Sequence, residues 1–360
     1  MYLVFLFING VRITTSFCSI TFNFNQKLLE LIFIFRDSSM KNIGVFWCSL
    51  PIIFLFLFHT HILKYFGITM ANLRGRSNLV RTLASKMEKD LELAEFDKEK
   101  WYSVNLDRIG SDVIRKKFVQ LGVDTETQEF IDHSVAQSDW LVTQLWYNVA
   151  KSFLSWFYCQ TDINGMLQRG SMFVFSREHF LKLSQLSADT RLDNMLDLGA
   201  GDGRPTQSMS GFYQNVLATE MSGPMRKNLA AKGFKVVEID TWTKPEEYDL
   251  ISALNLFDRC DKPISIVQDI HSSLKQNGLF VVALVLPFKP YVESVPSHKP
   301  SEIMHISGEV FENQLETAVA LFEKFGFSLQ SWSRVPYLCE GDLAKPLYHL
   351  NNALLVFKKI

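Results

Sequence analysis

No CxxC pair occurs in the 360-residue chain. The five cysteines, Cys18, Cys48, Cys159, Cys260 and Cys339, are scattered, which speaks against a zinc knuckle or a disulfide scaffold. Asn-x-Ser/Thr sequons are missing as well. So is any excess of one charge: 37 Lys and Arg stand against 38 Asp and Glu, a net charge of −1. Without a basic stripe there is no electrostatic footprint for nucleic acid, and none is expected as a partner. Internal repeats and low-complexity tracts are absent too. What remains is a chain long enough for one large domain and an extension, or for two domains.

Charge is locally absent from residues 43–58, "IGVFWCSLPIIFLFLF". This is the strongest of three apolar runs within residues 1–70. It is short of the roughly 20 residues a full span needs. Met40-Lys41 stands just before it, so Met40 is a candidate second start, which would leave residues 1–39 outside the working protein. Three readings stay open: a cleaved signal peptide, an uncleaved anchor giving membrane association, or a buried core helix. Lys64, Arg74, Arg76, Arg81 and Lys86 follow the run and would keep that flank cytosolic if it anchors. His59-Thr60-His61, at the end of the run, is a His-x-His of its own.

Residues 71–100 are charged and read as a linker or a mobile helix. Residues 101–190 read as a helical extension packing on the core. Within it, "DWLVTQLWYNVAKSFLSWFY" (139–158) spaces apolar residues by three and four, as an amphipathic helix does. Its aromatics are expected to pack into the core.

From residue 191 short strands and helices alternate to the end of the chain. "NMLDLG", "VLATE", "KVVEI", "YDLISAL", "GLFVVALVL", "FSLQSWSRV" and "ALLVFKK" read as strands. Residues 203–212, 222–232, 263–275 and 311–325 read as helices. The alternation predicts an α/β, Rossmann-like fold with a seven-stranded, parallel, doubly wound sheet. Ligands in such sheets lie beyond the carboxyl ends of the strands, where strand order reverses.

"LDLGAGDGRPT" (196–206) is the first strand-to-helix turn. Gly199 and Gly201 let a ligand approach the backbone closely. A dinucleotide fingerprint needs a third glycine where Arg204 stands, followed by Pro205, so that reading fails. Asp197 and Asp202 crowd the turn with negative charge, which suits a cationic ligand such as S-adenosyl-L-methionine better than a pyrophosphate. Glu220, ending the second strand, is placed to accept both hydroxyls of a ribose. The pattern Asp197-x-Gly199-x-Gly201-x-Gly203 resembles the first motif of class I S-adenosylmethionine-dependent methyltransferases. Asp240, ending the third strand, is a candidate for the adenine amine.

After the fourth strand, "SALNLFDRCDKP" carries Asn255 and Asp258. Asn offers a donor and an acceptor, whereas an ionised Asp only accepts. They suit the holding of a substrate nitrogen: a carboxylate accepting one imidazole N–H fixes the tautomer and leaves the other lone pair free. Both are also good N-cap residues for the helix that follows, and the residues alone leave these readings even.

"GSMFVFS", "LDLGAGDG", "ATEMS", "LNLFDRCDKP", "ALVLPFKPYVE", "KPSEI" and "RVPYLCEGD" together resemble the DREV family, from about residue 100 to the end. The resemblance implies a protein-histidine methyltransferase acting on the π nitrogen (Nδ1) in His-x-His motifs of proteins. It implies that Glu220 binds the cofactor ribose, that Asn255, Asp258 and Tyr337 recognise the imidazole, and that Asn255 also borders the cofactor. It further implies association with the endoplasmic reticulum, with the mitochondrion or cytoplasm as alternatives. Proline-stiffened residues 287–293 would shape a peptide groove or form a plain rigid loop. His59-Thr60-His61 becomes a candidate self-substrate. Two rival readings stand beside this one: a small-molecule N- or O-methyltransferase, and a protein that keeps the fold without chemistry.

Overall fold

The computed structural model describes residues 2–8, 11–17, 78–293 and 295–360. Residues 43–58, the Met40 start and His59-Thr60-His61 lie outside the described residues. β1 (Tyr2–Ile8) and β2 (Val11–Phe17) pair as an antiparallel ribbon. This ribbon belongs to a separate unit, residues 1–67. The second unit, residues 68–360, carries everything below. Among the described residues no helix is long and apolar enough to cross a membrane.

The sheet has eight strands, in the order β3-β9-β10-β8-β7-β4-β5-β6. The central strands are β4 (Leu192–Leu198), β5 (Tyr213–Thr219), β7 (Tyr248–Leu254) and β8 (Leu274–Val285). They run parallel, with β6 (Lys235–Val236) outside β5. Their carboxyl-terminal halves are buried on both faces, and in β8 this leaves the continuous apolar run Leu279–Val285. β9 (Phe327–Glu340) and β10 (Leu347–Lys359) form a long antiparallel hairpin. β10 slips between β9 and β8 and runs antiparallel to both. β3 (Met172–Phe173) adds a two-residue edge against β9. The sheet is therefore mixed rather than wholly parallel, and eight-stranded rather than seven. "KVVEI" contributes only its first two residues to a strand.

Two apolar layers cover the sheet. α9 (Pro263–Ser273) and α10 (Phe311–Glu323) fill one face, with Val267, Ile270, Leu315, Val319 and Phe322 packed on Phe280 and Phe357. The other face is covered from the extension: Trp101, Tyr102, α3 (Thr125–Ser138) and α6 (Arg177–Ser184) meet Met195, Leu250, Val281 and Val356. The extension thus completes the core.

Of the linker and helix readings of residues 71–100, a helix forms over Asn78–Glu95, α1, where Lys86 bonds Asp90 (2.8 Å) and Asp139 (2.5 Å). One expectation fails in the extension that follows. The aromatic helix forms as expected, as α4 (Leu141–Leu154), but its aromatics do not enter the core. Gln144 is its buried residue, while Trp146, Phe153, Trp156 and Phe157 are exposed.

Strand order reverses between β4 and β7, so the crevice predicted for a ligand lies past Leu198 and Leu254. β9 is antiparallel to β10, which is antiparallel to β8; β9 therefore ends on the same edge. Asn352 of β10 pairs with both Val285 and Val335, which sets Tyr337 just past the end of β8.

Candidate active site

Three strand ends build the site. In the turn from β4 to α7 (Arg204–Ser210), Gly199, Gly201 and Gly203 have φ of 70°, 57° and 78°. L side chains rarely adopt that region, so the alternating glycines are a backbone requirement. A Cβ on Gly203 would meet Leu229 Cδ2 at 2.7 Å and Phe234 Cε2 at 2.9 Å, whereas one on Gly201 would meet nothing within 4 Å. Gly203 is therefore needed for packing, and Gly201 faces open space. Across the crevice, Glu220 accepts from Gly201 N (3.0 Å) and Ser222 N (2.9 Å). Ser222 caps α8 (Gly223–Ala231), whose Pro224 sits in the first turn where its missing N–H costs nothing.

The two aspartates of the turn part company. Asp197 is 1% exposed, with one oxygen bonded to Thr206 Oγ1 (2.5 Å) and the other to Ser252 Oγ (2.7 Å). Burial pushes its carboxyl up to about 6, against those two bonds, which act to lower it. It ties β4 to α7 and to β7, and both oxygens are taken within the fold. Asp202 lies at the crevice: Ser171 Oγ donates to it at 2.7 Å, and the Arg204 N–H at 3.1 Å.

At the end of β7, Asn255 has φ 55°, a region where Asn is several-fold enriched. Its backbone N–H reaches Ala283 O at 3.0 Å. Its side-chain Nδ2 and Oδ1 are both buried and have no partner. Two orphaned polar atoms on one side chain leave an unmet need of about 1–3 kcal/mol each, which a bound ligand can supply. Asp258 follows, with burial holding its carboxyl above the usual range against Arg259, whose Nε lies 3.5 Å from Oδ2. The capping reading of both residues is not what forms: the N-cap of α9 is Lys262, without a side-chain cap bond.

Tyr337 closes the group. Burial pushes its phenol up, helped by Cys339, Asp258 and Asp202, with Arg259 acting the other way. Its hydroxyl rests on the sulfur of Met172, at the start of β3. The loop after β8 returns to the same place, where Tyr291 N donates to Asp258 O at 2.7 Å and the Tyr291 ring stacks on His298 at 4.6 Å. Cys260 and Cys339 are both free thiols, pushed up by burial to about 12 and about 11.

Gly199, Gly201, Asp202, Gly203, Glu220, Asn255, Asp258 and Tyr337 therefore share one edge of the sheet. Asp197 sits beneath them. Asp240 is exposed beyond the short β6, in a turn. Ser171 and Met172 are the residues that sequence reasoning missed. "GSMFVFS" stands out as a motif, but nothing in its spacing places it against Asp202 and Tyr337. Glu340 fixes that wall by accepting from Gly170 N (3.0 Å) and Ser171 N (3.1 Å).

The donor set fits S-adenosyl-L-methionine. Gly201 leaves room at the backbone, Glu220 offers carboxylate oxygens, and Asp202 offers negative charge toward a cation. Among the described residues no cluster of His, Cys, Asp and Glu is arranged to hold a metal.

Residues 101–359 match the model of the DREV methyltransferase family. The chain is also similar to three solved structures. One is a TehB-like S-adenosylmethionine-dependent methyltransferase from Corynebacterium glutamicum, with 20% identity, 52% of this chain and 89% of that one covered, and a TM-score of 0.33. Another is an S-adenosylmethionine-dependent methyltransferase from Methanosarcina mazei, at 11%, 48%, 94% and 0.35 in the same order. The YcgJ protein from Bacillus subtilis gives 16%, 51%, 98% and 0.35.

Proposed function

The chain belongs to the DREV methyltransferase family, with S-adenosyl-L-methionine as methyl donor, and from that premise we propose that it methylates protein histidines. The product is 1-methylhistidine, made at Nδ1 within His-x-His motifs of protein substrates. The observation that carries the reading is Asn255: a buried amide with no partner, three residues from a partly buried carboxylate and on the same edge as Tyr337. Three hydrogen-bonding groups of mixed donor and acceptor type suit a small polar ring.

Bound, the cofactor would supply a sulfonium methyl group, its sulfur departing as a neutral thioether. Glu220 and the Gly199–Gly203 backbone would hold it, and Asp202 would offer its charge to the cation. Asp258 accepts the Nε2–H of the target ring, which fixes the tautomer with the Nδ1 lone pair unshared. Neutral imidazole, with a pKa of about 6.5, needs little base at neutral pH. Orientation and exclusion of water then carry most of the rate, and the Asp258 charge stabilises the ring as it becomes cationic.

The test offers the full-length protein and methyl-labelled S-adenosyl-L-methionine a His-Ala-His peptide, beside a control with both histidines changed to alanine. Label on Nδ1 of the first peptide alone supports the reading. Cofactor binding without label on either peptide refutes it and favours a small-molecule acceptor.

A further inference from the structure

The least expected surface of the molecule is α4 and the turn after it. Val142, Trp146, Val149, Phe153, Trp156 and Phe157 recur at helical spacing and form one outward stripe. Trp146 is 63% exposed and Trp156 78%. The helix is held from beneath by polar bonds. Gln144 Nε2 reaches Gln137 O (2.9 Å), and Arg169 bridges Gln144 Oε1 (2.9 Å) to Gly341 O (2.5 Å) while covering the Tyr147 ring. The inner side is thus anchored to the wall of the site, and the apolar side is turned out. A folded chain does not expose three tryptophans within seventeen residues without a use for them.

We propose that this stripe docks into the interfacial layer of a lipid bilayer. Two observations choose the membrane over a protein partner. First, residues 140–161 contain no acid and only one base, Lys151, so a zwitterionic interface opposes nothing and no charged partner is matched. Second, the stripe is the crest of a single helix, a convex ridge rather than a groove. Ridges of this kind, rich in Trp, Phe and Tyr, lie with their apolar face about 5–10 Å into the headgroup and acyl boundary. The docking is independent of histidine specificity.

The experiment uses the full-length protein on phosphatidylcholine vesicles whose lipids are brominated in the upper acyl chain, and reads tryptophan quenching. The double variant Trp146→Phe/Trp156→Phe keeps the stripe apolar and removes its reporters. Trp101, Trp242 and Trp332, all buried, report that the fold is intact. Lipid quenching is expected to fall in the variant, with Trp140 the one of the three exposed tryptophans that still reports. Equal quenching in both proteins, with Trp146 and Trp156 still open to acrylamide, overturns the proposal: the stripe then stays in water. Protection from acrylamide in the absence of lipid also overturns it, and assigns the stripe to a second copy or to the chain's own apolar segment.

Discussion

Gly201 and Glu220 are joined by a 3.0 Å hydrogen bond, backbone N–H to carboxylate, across nineteen residues of chain. The same carboxylate accepts from Ser222 N at 2.9 Å. Glu220 therefore sets the width of the crevice as well as offering its oxygens to a ligand. Hydrogen bonds to a charged group are worth about 1.5–3 kcal/mol each. Glu220→Ala is expected to weaken cofactor binding roughly 10- to 100-fold, and Glu220→Gln less, because its amide oxygen still accepts. Titration calorimetry with S-adenosyl-L-methionine checks both. Equal losses in the two variants would show that charge, not hydrogen bonding, is what the ribose needs.

Gly201 and Gly203 separate binding from folding. Both have positive φ, so a side chain at either costs about 1–2 kcal/mol in backbone strain. At Gly203 the new Cβ also collides with Leu229 and Phe234, which pack α8 against the turn. At Gly201 it meets no protein atom and intrudes only on the ligand's space. Gly203→Ala should lower the unfolding midpoint markedly. Gly201→Ala should fold with a small loss and bind cofactor poorly. The reverse order in a thermal melt and a binding titration would remove Gly201 from the cofactor's path.

At Asn255 two effects oppose each other. Removing the amide forfeits about 1 kcal/mol of preference for the left-handed region, but relieves two buried atoms that lack partners. Asn255→Ala is therefore expected to raise stability by about 1 kcal/mol or more while lowering kcat/KM about 100-fold. A large loss of stability in a denaturant melt, with kcat/KM following it, would make Asn255 structural.

Much of this is legible in the sequence, for a physical reason. A parallel strand buried on both faces leaves a continuous apolar run, so "LFVVALV" announces itself, and so do the glycines that follow β4. The insertion of β10 between β8 and β9 depends on pairing between distant segments and has no local signature. The stripe on α4 fails differently: three- and four-residue spacing specifies a face, not what the face meets. The motif position of Asp197 suggests a ligand contact. Its partners, Thr206 and Ser252, are ordinary hydroxyls nine and fifty-five residues away, and only the folded chain brings them to it.

Asp258 gives the sharpest prediction, because its protonation and that of the target ring enter together. Burial holds its carboxyl above the usual range, so it keeps its proton to a higher pH than a surface aspartate. Stabilising the ring's growing positive charge requires the ionised form, since a protonated carboxyl is only a neutral acceptor, and the ring must itself be neutral, with a free pKa of about 6.5. Below both values each tenfold rise in acidity should therefore cost about two tenfold steps in kcat/KM, one for each group. In Asp258→Asn the side-chain oxygen accepts at every pH, so the acid limb should soften to a single step. Its plateau should fall, since a neutral acceptor stabilises the growing positive charge less. Asp258→Ala should keep cofactor affinity and lose turnover. If the acid limb of Asp258→Asn stays as steep as that of the parent protein, Asp258 is not the group that titrates. If Asp258→Ala loses cofactor and turnover equally, the carboxylate shapes the edge of the sheet rather than the ring's approach.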